Sequence, residues 1–245
     1  MYKRQSLINN FLKKHKLKTT LSDFKISDDI DTSRIYSDKG IRISKNSKIQ
    51  GKFFMYISKS KELAEKAKQL EAKNKHSELG ILLGYPKCCS EFFENNFPIE
   101  SKKKNDYTLA TLRNSNGFSF PFYTNIAIRH MDLTLLSHFP CSFNCEHSIR
   151  IAKNNLNIIK KYSKKYFNIM DDMLKGAVIY TEDKGVFLLK DIKMNNNLFY
   201  KEVISSTNND IYNILKDSPN LKIINKNNIK INNKELNDIG FMAFS

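Results

Sequence analysis

The chain carries four residues whose side chains bind soft metals as thiolates: Cys88, Cys89, Cys141 and Cys145. Each pair follows an aromatic residue and a proline, Tyr85-Pro86 before the first pair and Phe139-Pro140 before the second. No other cysteine occurs in the 245 residues. The two matching stretches predict that the four thiols meet in space and hold a metal ion or an iron–sulfur cluster.

The two cysteine pairs also carry signals for helix N-termini. Proline suits the first helical position, where its missing N–H costs no hydrogen bond. Free N–H groups and the positive end of a helix stabilise a thiolate. The sequence predicts one helix over residues 88–95 and a long helix from Pro140 to Gly176. Cys141 and Cys145, spaced i and i+4, would then face the same way.

Several chemistries remain open for these four cysteines. A 4Fe-4S cluster uses four thiolates, and adjacent cysteines are unusual in structural zinc sites, which favours the cluster. Alternatively, three thiolates bind zinc or another metal together with His138 or His130. A metal-free thiol redox pair is a third interpretation. Four unrelated cysteines, buried as small apolar residues, are a fourth.

Three further residues are candidates for catalysis. His138 lies three positions before Cys141, where it can bind the metal or donate a hydrogen bond to a metal ligand. Arg129 offers a fork of donors to an anionic or polar substrate. His130 follows it on an apolar segment, as a catalytic group or as a hydrogen-bonded core residue. The predicted catalytic residues are therefore His138, Arg129 and His130.

Composition narrows the class of protein. No apolar run approaches the roughly 18–20 residues that cross a membrane, and the N-terminus shows no secretory signal. A cytoplasmic protein with reduced thiols is expected. The formal net charge of +16 is compatible with contact to RNA or tRNA. That partner is not favoured, because arginine is scarce, the lysines are scattered, and a codon bias toward A and T explains the lysine excess.

The elements that position the cysteines indicate an α+β fold, with a central helical region carrying the cysteine site between hairpin-rich segments. Residues 52–57 are predicted as a buried strand, followed by a helix that Ser58 or Ser60 caps. A hairpin is predicted over residues 177–189. The predicted segments are residues 1–78, 79–176 and 177–245, which could all form one domain.

Two motifs resemble those of a known family. They are LGYPxCCxxFF at residues 83–93 and HFPCSxxC at residues 138–145. Together they resemble an uncharacterised prokaryotic family, catalogued as a domain of unknown function, number 483. The resemblance covers residues 79–177 and implies a shared cysteine-based site without indicating a reaction.

The leading functional prediction is a cytoplasmic metalloprotein with a four-cysteine site, acting as an enzyme on a small molecule of unknown identity. One alternative is a structural zinc module whose basic surface binds RNA or a protein partner. Another is a metal-free thiol oxidoreductase. The chain shows no phosphate-binding loop, nucleotide fingerprint or pair of catalytic carboxylates, so the substrate stays undefined.

Overall fold

A computed structural model describes residues 2–27, 41–103 and 107–245. Backbone contacts divide these residues into two units, one of residues 2–27 and 41–94 and the other of residues 95–103 and 107–245. Both units mix helices and strands, so the predicted α+β class is confirmed. None of the described helices has the length and apolar character that a membrane crossing needs.

The first unit contains a three-stranded antiparallel sheet and a set of helices. In chain order its elements are α1 (Tyr2–Lys14), β1 (Lys18–Ser27), β2 (Ile41–Ser44), β3 (Lys52–Ser58), α2 (Lys61–Ala72), α3 (His76–Leu82) and the start of α4 (Lys87–Glu100). The strand order is β2-β1-β3. Ser60 caps α2, as predicted, because its hydroxyl accepts a hydrogen bond from the Leu63 N–H.

One face of this sheet is covered and the other is exposed. Helix α2 packs along β1 and β3, and its Ala67 and Leu70 join Leu79 of α3 in a small core. The prediction of a buried strand over residues 52–57 is therefore right about the strand and wrong about its burial. Phe53, Phe54 and Met55 are 40%, 42% and 43% exposed, because the described helices leave this part of β3 largely uncovered.

The second unit holds two five-stranded sheets with helices beside them. After α4 its elements are α5 (Thr108–Arg113), β4 (Ser119–Phe120), α6 (Glu146–Tyr162), α7 (Lys164–Met173), β5 (Gly176–Tyr180), β6 (Val186–Lys190), β7 (Lys193–Met194), β8 (Leu198–Phe199), β9 (Glu202–Ser205), α8 (Asp210–Asp217), β10 (Asn220–Asn225), β11 (Asn228–Ile231), β12 (Lys234–Leu236) and β13 (Gly240–Phe244). The sheet orders are β4-β13-β5-β6-β9 and β12-β11-β10-β8-β7. All pairings are antiparallel except that of β4 with β13.

Both faces of the β4-β13-β5-β6-β9 sheet are buried at its centre, where every residue of β5, β6 and β13 is buried. Alternate side chains enter different cores, as the period of two along a strand requires. Val178 and Tyr180 pack with Leu156 of α6, whereas Ile179 packs with Ile229 of β11. The hairpin predicted over residues 177–189 is confirmed by the antiparallel pairing of β5 with β6.

The helices differ from the prediction at Ser163 and at the end of α4. The long helix expected from Pro140 to Gly176 is two helices, because Ser163 has an extended backbone and its hydroxyl accepts from the Tyr166 N–H to cap α7. Helix α4 passes through Pro98 and ends at Glu100 instead of stopping near residue 96. Because Pro98 lacks an N–H, α4 continues through it with one helical hydrogen bond fewer, that to the Glu94 carbonyl.

Candidate metal centre

The turn between α3 and α4 positions Cys88 and Cys89, which lie at the start of α4. Gly84 takes a positive φ of +84°, and the Tyr85 N–H donates to the Gly80 carbonyl at 2.9 Å. This is the glycine-terminated end of a helix, in which a left-handed residue reverses the chain and satisfies the last carbonyls. Gly84 therefore ends α3 and reverses the chain direction before Pro86.

Pro86 starts the helix that carries Cys88 and Cys89. Its carbonyl accepts hydrogen bonds from the N–H groups of Cys89 and Ser90, at 3.0 and 2.9 Å. Both cysteines consequently lie in the first turn of α4, as predicted from the proline. That turn contains no acidic residue, so the positive end of the helix is available to thiolates.

Close packing between α3 and α4 fixes this arrangement. A Cβ at Gly80 would lie 2.5 Å from the Ser90 Oγ and 3.0 Å from the Ser90 Cβ. We expect Gly80→Ala to lower the free energy of unfolding in urea by about 1–2 kcal/mol, because overpacking outweighs the gain in helix propensity. In a Ser90→Ala background the same substitution should cost less. An equal cost in both backgrounds would contradict the proposed clash.

Cys141 and Cys145 are presented by a loop, which corrects the helix predicted from Pro140. Helix α6 begins at Glu146, Cys145 is its N-cap residue, and the Cys145 carbonyl accepts from the Ile149 N–H at 2.9 Å. Residues 141–144 form bends and turns. The Ser142 carbonyl accepts from the Cys145 N–H at 3.0 Å, whereas the carbonyls of Cys141 and Phe143 accept from side chains of other segments.

Phe143, between the two cysteines, anchors this loop in the core. It is fully buried, with its ring centre 4.9 Å from that of Phe120 and 5.4 Å from that of Phe244. Its N–H donates to the Ser115 Oγ at 2.9 Å, and its carbonyl accepts from the Thr124 Oγ1 at 2.7 Å. Burying this ring requires the irregular backbone, which is why the helix starts only at Glu146.

The end of α5 holds the same loop from the other side. The Thr111 hydroxyl donates to the Pro140 carbonyl at 2.9 Å, and the Asn114 side-chain amide donates to the Cys141 carbonyl at 2.7 Å. Thr111, Asn114 and Ser115 were not predicted as site residues. The only signal was the polar run at residues 114–117, which is typical of any turn.

The four sulfur atoms form one group. All four Sγ atoms lie within 4.8 Å of one another, and those of Cys88 and Cys89 are 3.8 Å apart. Cys89 and Cys145 are buried, whereas Cys88 and Cys141 are half-buried. The prediction that the two stretches meet is confirmed, and the group is placed to hold a metal ion.

His138 lies beside the group without joining it. Within the described residues, the cluster of ligand atoms comprises the four cysteines and does not include His138. The His138 Nε2 is 2.9 Å from the Oγ of Ser148, a buried residue of α6. Burial lowers the pKa of His138 to about 4, an effect that the nearby Cys145 partly opposes. At neutral pH the imidazole is therefore uncharged.

The other two predicted catalytic residues lie in a short 3-10 helix, Arg129–Met131. The Arg129 guanidinium carbon is 4.6 Å from the ring centre of Phe139, and that ring stacks on Tyr107 at 5.1 Å. His130 is half-buried. Neither Arg129 nor His130 belongs to the sulfur group of the described chain. Their catalytic roles stay predictions.

Comparison with protein families gives a match. The model of a family described as "Protein of unknown function (DUF483)" matches residues 58–177, which include both cysteine stretches. The resemblance predicted from the two motifs is confirmed, and it extends back to α2. No curated protein and no solved structure matches the chain.

Proposed function

We propose that this protein holds one thiophilic metal ion, zinc in the first instance, on the thiolates of Cys88, Cys89, Cys141 and Cys145. The single observation that carries the proposal is the mutual distance of the four Sγ atoms, none of which is more than 4.8 Å from another. Four soft ligands in this arrangement suit zinc or ferrous iron better than calcium or magnesium, which prefer oxygen.

The compactness of the sulfur group favours a single ion over a four-iron cluster. A tetrahedral ion with bonds of about 2.3 Å to sulfur places its ligand sulfurs roughly 3.8 Å apart. The Cys88 and Cys89 sulfurs have this separation, 3.8 Å. In a cubane cluster each thiolate binds a different iron, which spreads the sulfurs to about 6 Å.

The positions of Cys88, Cys89 and Cys145 at helix N-termini support the thiolate form of these three ligands. Cys88 and Cys89 lie in the first turn of α4, and Cys145 caps α6, so two helix N-termini carry ligands. The positive helix ends offset the negative charge of a four-thiolate site. Neutral His138, hydrogen-bonded to Ser148, would exclude water from the surroundings of Cys145 and fix the conformation there.

Four protein thiolates complete a tetrahedron, which supports a structural role for the ion. Catalytic zinc sites instead keep one position open for water or substrate. An enzymatic role is the second candidate, and it would need one thiolate to leave the metal. Cys88 and Cys141 are the candidates for leaving, because they are half-buried while the other two are buried. His138, Arg129 and His130 would then position substrate.

Anaerobic purification followed by metal analysis and absorption spectroscopy tests the proposal. We expect a colourless protein with one zinc per chain, and a Co²⁺-substituted form with the intense charge-transfer bands of thiolate coordination. A brown protein containing iron and acid-labile sulfide would replace the single ion with a cluster. A metal-free protein with four titratable thiols would favour the thiol oxidoreductase and overturn both metal interpretations.

A further inference from the structure

The junction between α6 and α7 presents a surface that the metal centre does not use. We call it the tyrosine–lysine surface; its six members are all exposed: Lys160, Lys161, Tyr162, Lys164, Lys165 and Tyr166. Tyr162 is 79% exposed and Tyr166 63% exposed. Two large aromatic side chains four positions apart thus stand in solvent among four cations.

The helix break explains why these tyrosines point outward. Ser163 interrupts the helix, and the apolar residues on either side of it, Ile159 and Phe167, pack against the core. Tyr162 and Tyr166 are therefore not needed to fill the interior. Lys161 lies beside the first of them, with its Nζ 5.9 Å from the ring centre of Tyr162.

The charged residues on and around this surface are all basic. Residues 147–166 contain six basic residues and no acidic one, the basic residues being Arg150, Lys153, Lys160, Lys161, Lys164 and Lys165. Among the described residues, none of the four lysines of the tyrosine–lysine surface forms an ion pair. Two of them, Lys164 and Lys165, open α7, where their charges add to the positive helix end.

We propose that the tyrosine–lysine surface binds single-stranded RNA. Unpaired bases stack on exposed aromatic rings, and flanking cations contact the phosphates, so the combination suits a strand better than a duplex. Helix α6 has 17 residues and a length of about 25 Å, enough for several nucleotides along its basic side. The proposal is independent of which ion the cysteines hold.

Fluorescence anisotropy with a labelled oligouridylate and the purified full-length protein tests this inference. The Tyr162→Leu/Tyr166→Leu double variant should bind roughly 10–100-fold more weakly with an unchanged salt dependence, because it loses stacking and keeps its charges. Replacing the four surface lysines by glutamine should instead flatten the slope of log K against log salt by up to about 3.

A matched control separates this surface from general basicity. The quadruple change of Lys201, Lys216, Lys222 and Lys234 to glutamine removes the same charge from other exposed positions. It should leave RNA affinity within about threefold of the parent, since it touches no proposed contact. Circular dichroism and thermal melting of each variant would confirm that the substitutions leave the fold intact.

Four outcomes would overturn the proposal. They are failure of the parent protein to bind at low salt, an equal loss of affinity in the control variant, no effect of the tyrosine changes, and equal binding of a duplex. Tighter binding to anionic lipid vesicles than to RNA would assign the surface to a membrane instead. Because all six residues are exposed, we expect their substitution to leave the fold intact, so that a change in RNA affinity reports on the surface itself.

Discussion

A Cys145→Ser variant is expected to bind metal more than a hundredfold more weakly than the parent protein. Cys145 is buried, and its sulfur lies within 4.8 Å of the other three. Loss of a residue that merely supports a metal ligand costs roughly 10–100-fold in affinity, so loss of a ligand thiolate should cost more. Competition titration of Zn²⁺ or Co²⁺ against a chelating dye measures the change.

The same variant should also separate metal binding from folding. Structural metal sites stabilise the folded state by the free energy of binding, so a chelator should lower the melting temperature of the parent protein. It should lower that of Cys145→Ser by less, because this variant holds the metal more weakly. A matched control is Asn144→Ser, an exposed neighbour in the same loop that carries no thiol. Normal metal affinity in Cys145→Ser would exclude Cys145 as a ligand.

Comparing single serine variants of Cys88 and Cys89 addresses the choice between a structural and a catalytic ion. A structural role predicts that both changes lower affinity and stability together, because the tetrahedron needs all four sulfurs. If Cys88 leaves the metal during turnover, Cys88→Ser should retain more metal than Cys89→Ser. The half-buried position of Cys88 makes it the more replaceable of the two.

The helix start before Cys88 and Cys89 was predictable from sequence because its signals are local. Prolines, glycines and helix caps act over a few residues, so Pro86 identified the start of α4. The paired β5–β6 hairpin and the Ser60 cap were predictable for the same reason. The three-segment division of the chain at residues 78 and 176 stays a prediction.

The conformation of the second cysteine stretch was not predictable, because long-range contacts decide it. The apolar rhythm after Pro140 is compatible with a helix, yet the Phe143 ring enters a core built by distant segments. The Thr111 and Asn114 side chains donate hydrogen bonds to the carbonyls of Pro140 and Cys141, which in a helix would accept from backbone N–H groups. Likewise, the exposure of β3 depends on which face α2 covers, and a run of apolar residues does not specify this.

Phe143→Ala is expected to lower the free energy of unfolding by about 3–5 kcal/mol, the range for truncating a buried phenylalanine. The ring is fully buried and contacts both Phe120 and Phe244. Because Phe143 lies between two of the proposed metal ligands, the variant should also bind Co²⁺ more weakly, with its thiols intact. Urea unfolding of the metal-loaded and metal-free forms measures both effects.

Phe199→Ala makes the same chemical change at a residue that is 46% exposed, and it should cost less than about 1 kcal/mol. Phe143→Leu keeps most of the buried volume and should lie between the two. If Phe143→Ala loses stability but keeps full metal affinity, the loop reaches its liganding conformation without the anchor. In that event the hydrogen bonds from Thr111 and Asn114 to the carbonyls of Pro140 and Cys141 would position the thiolates.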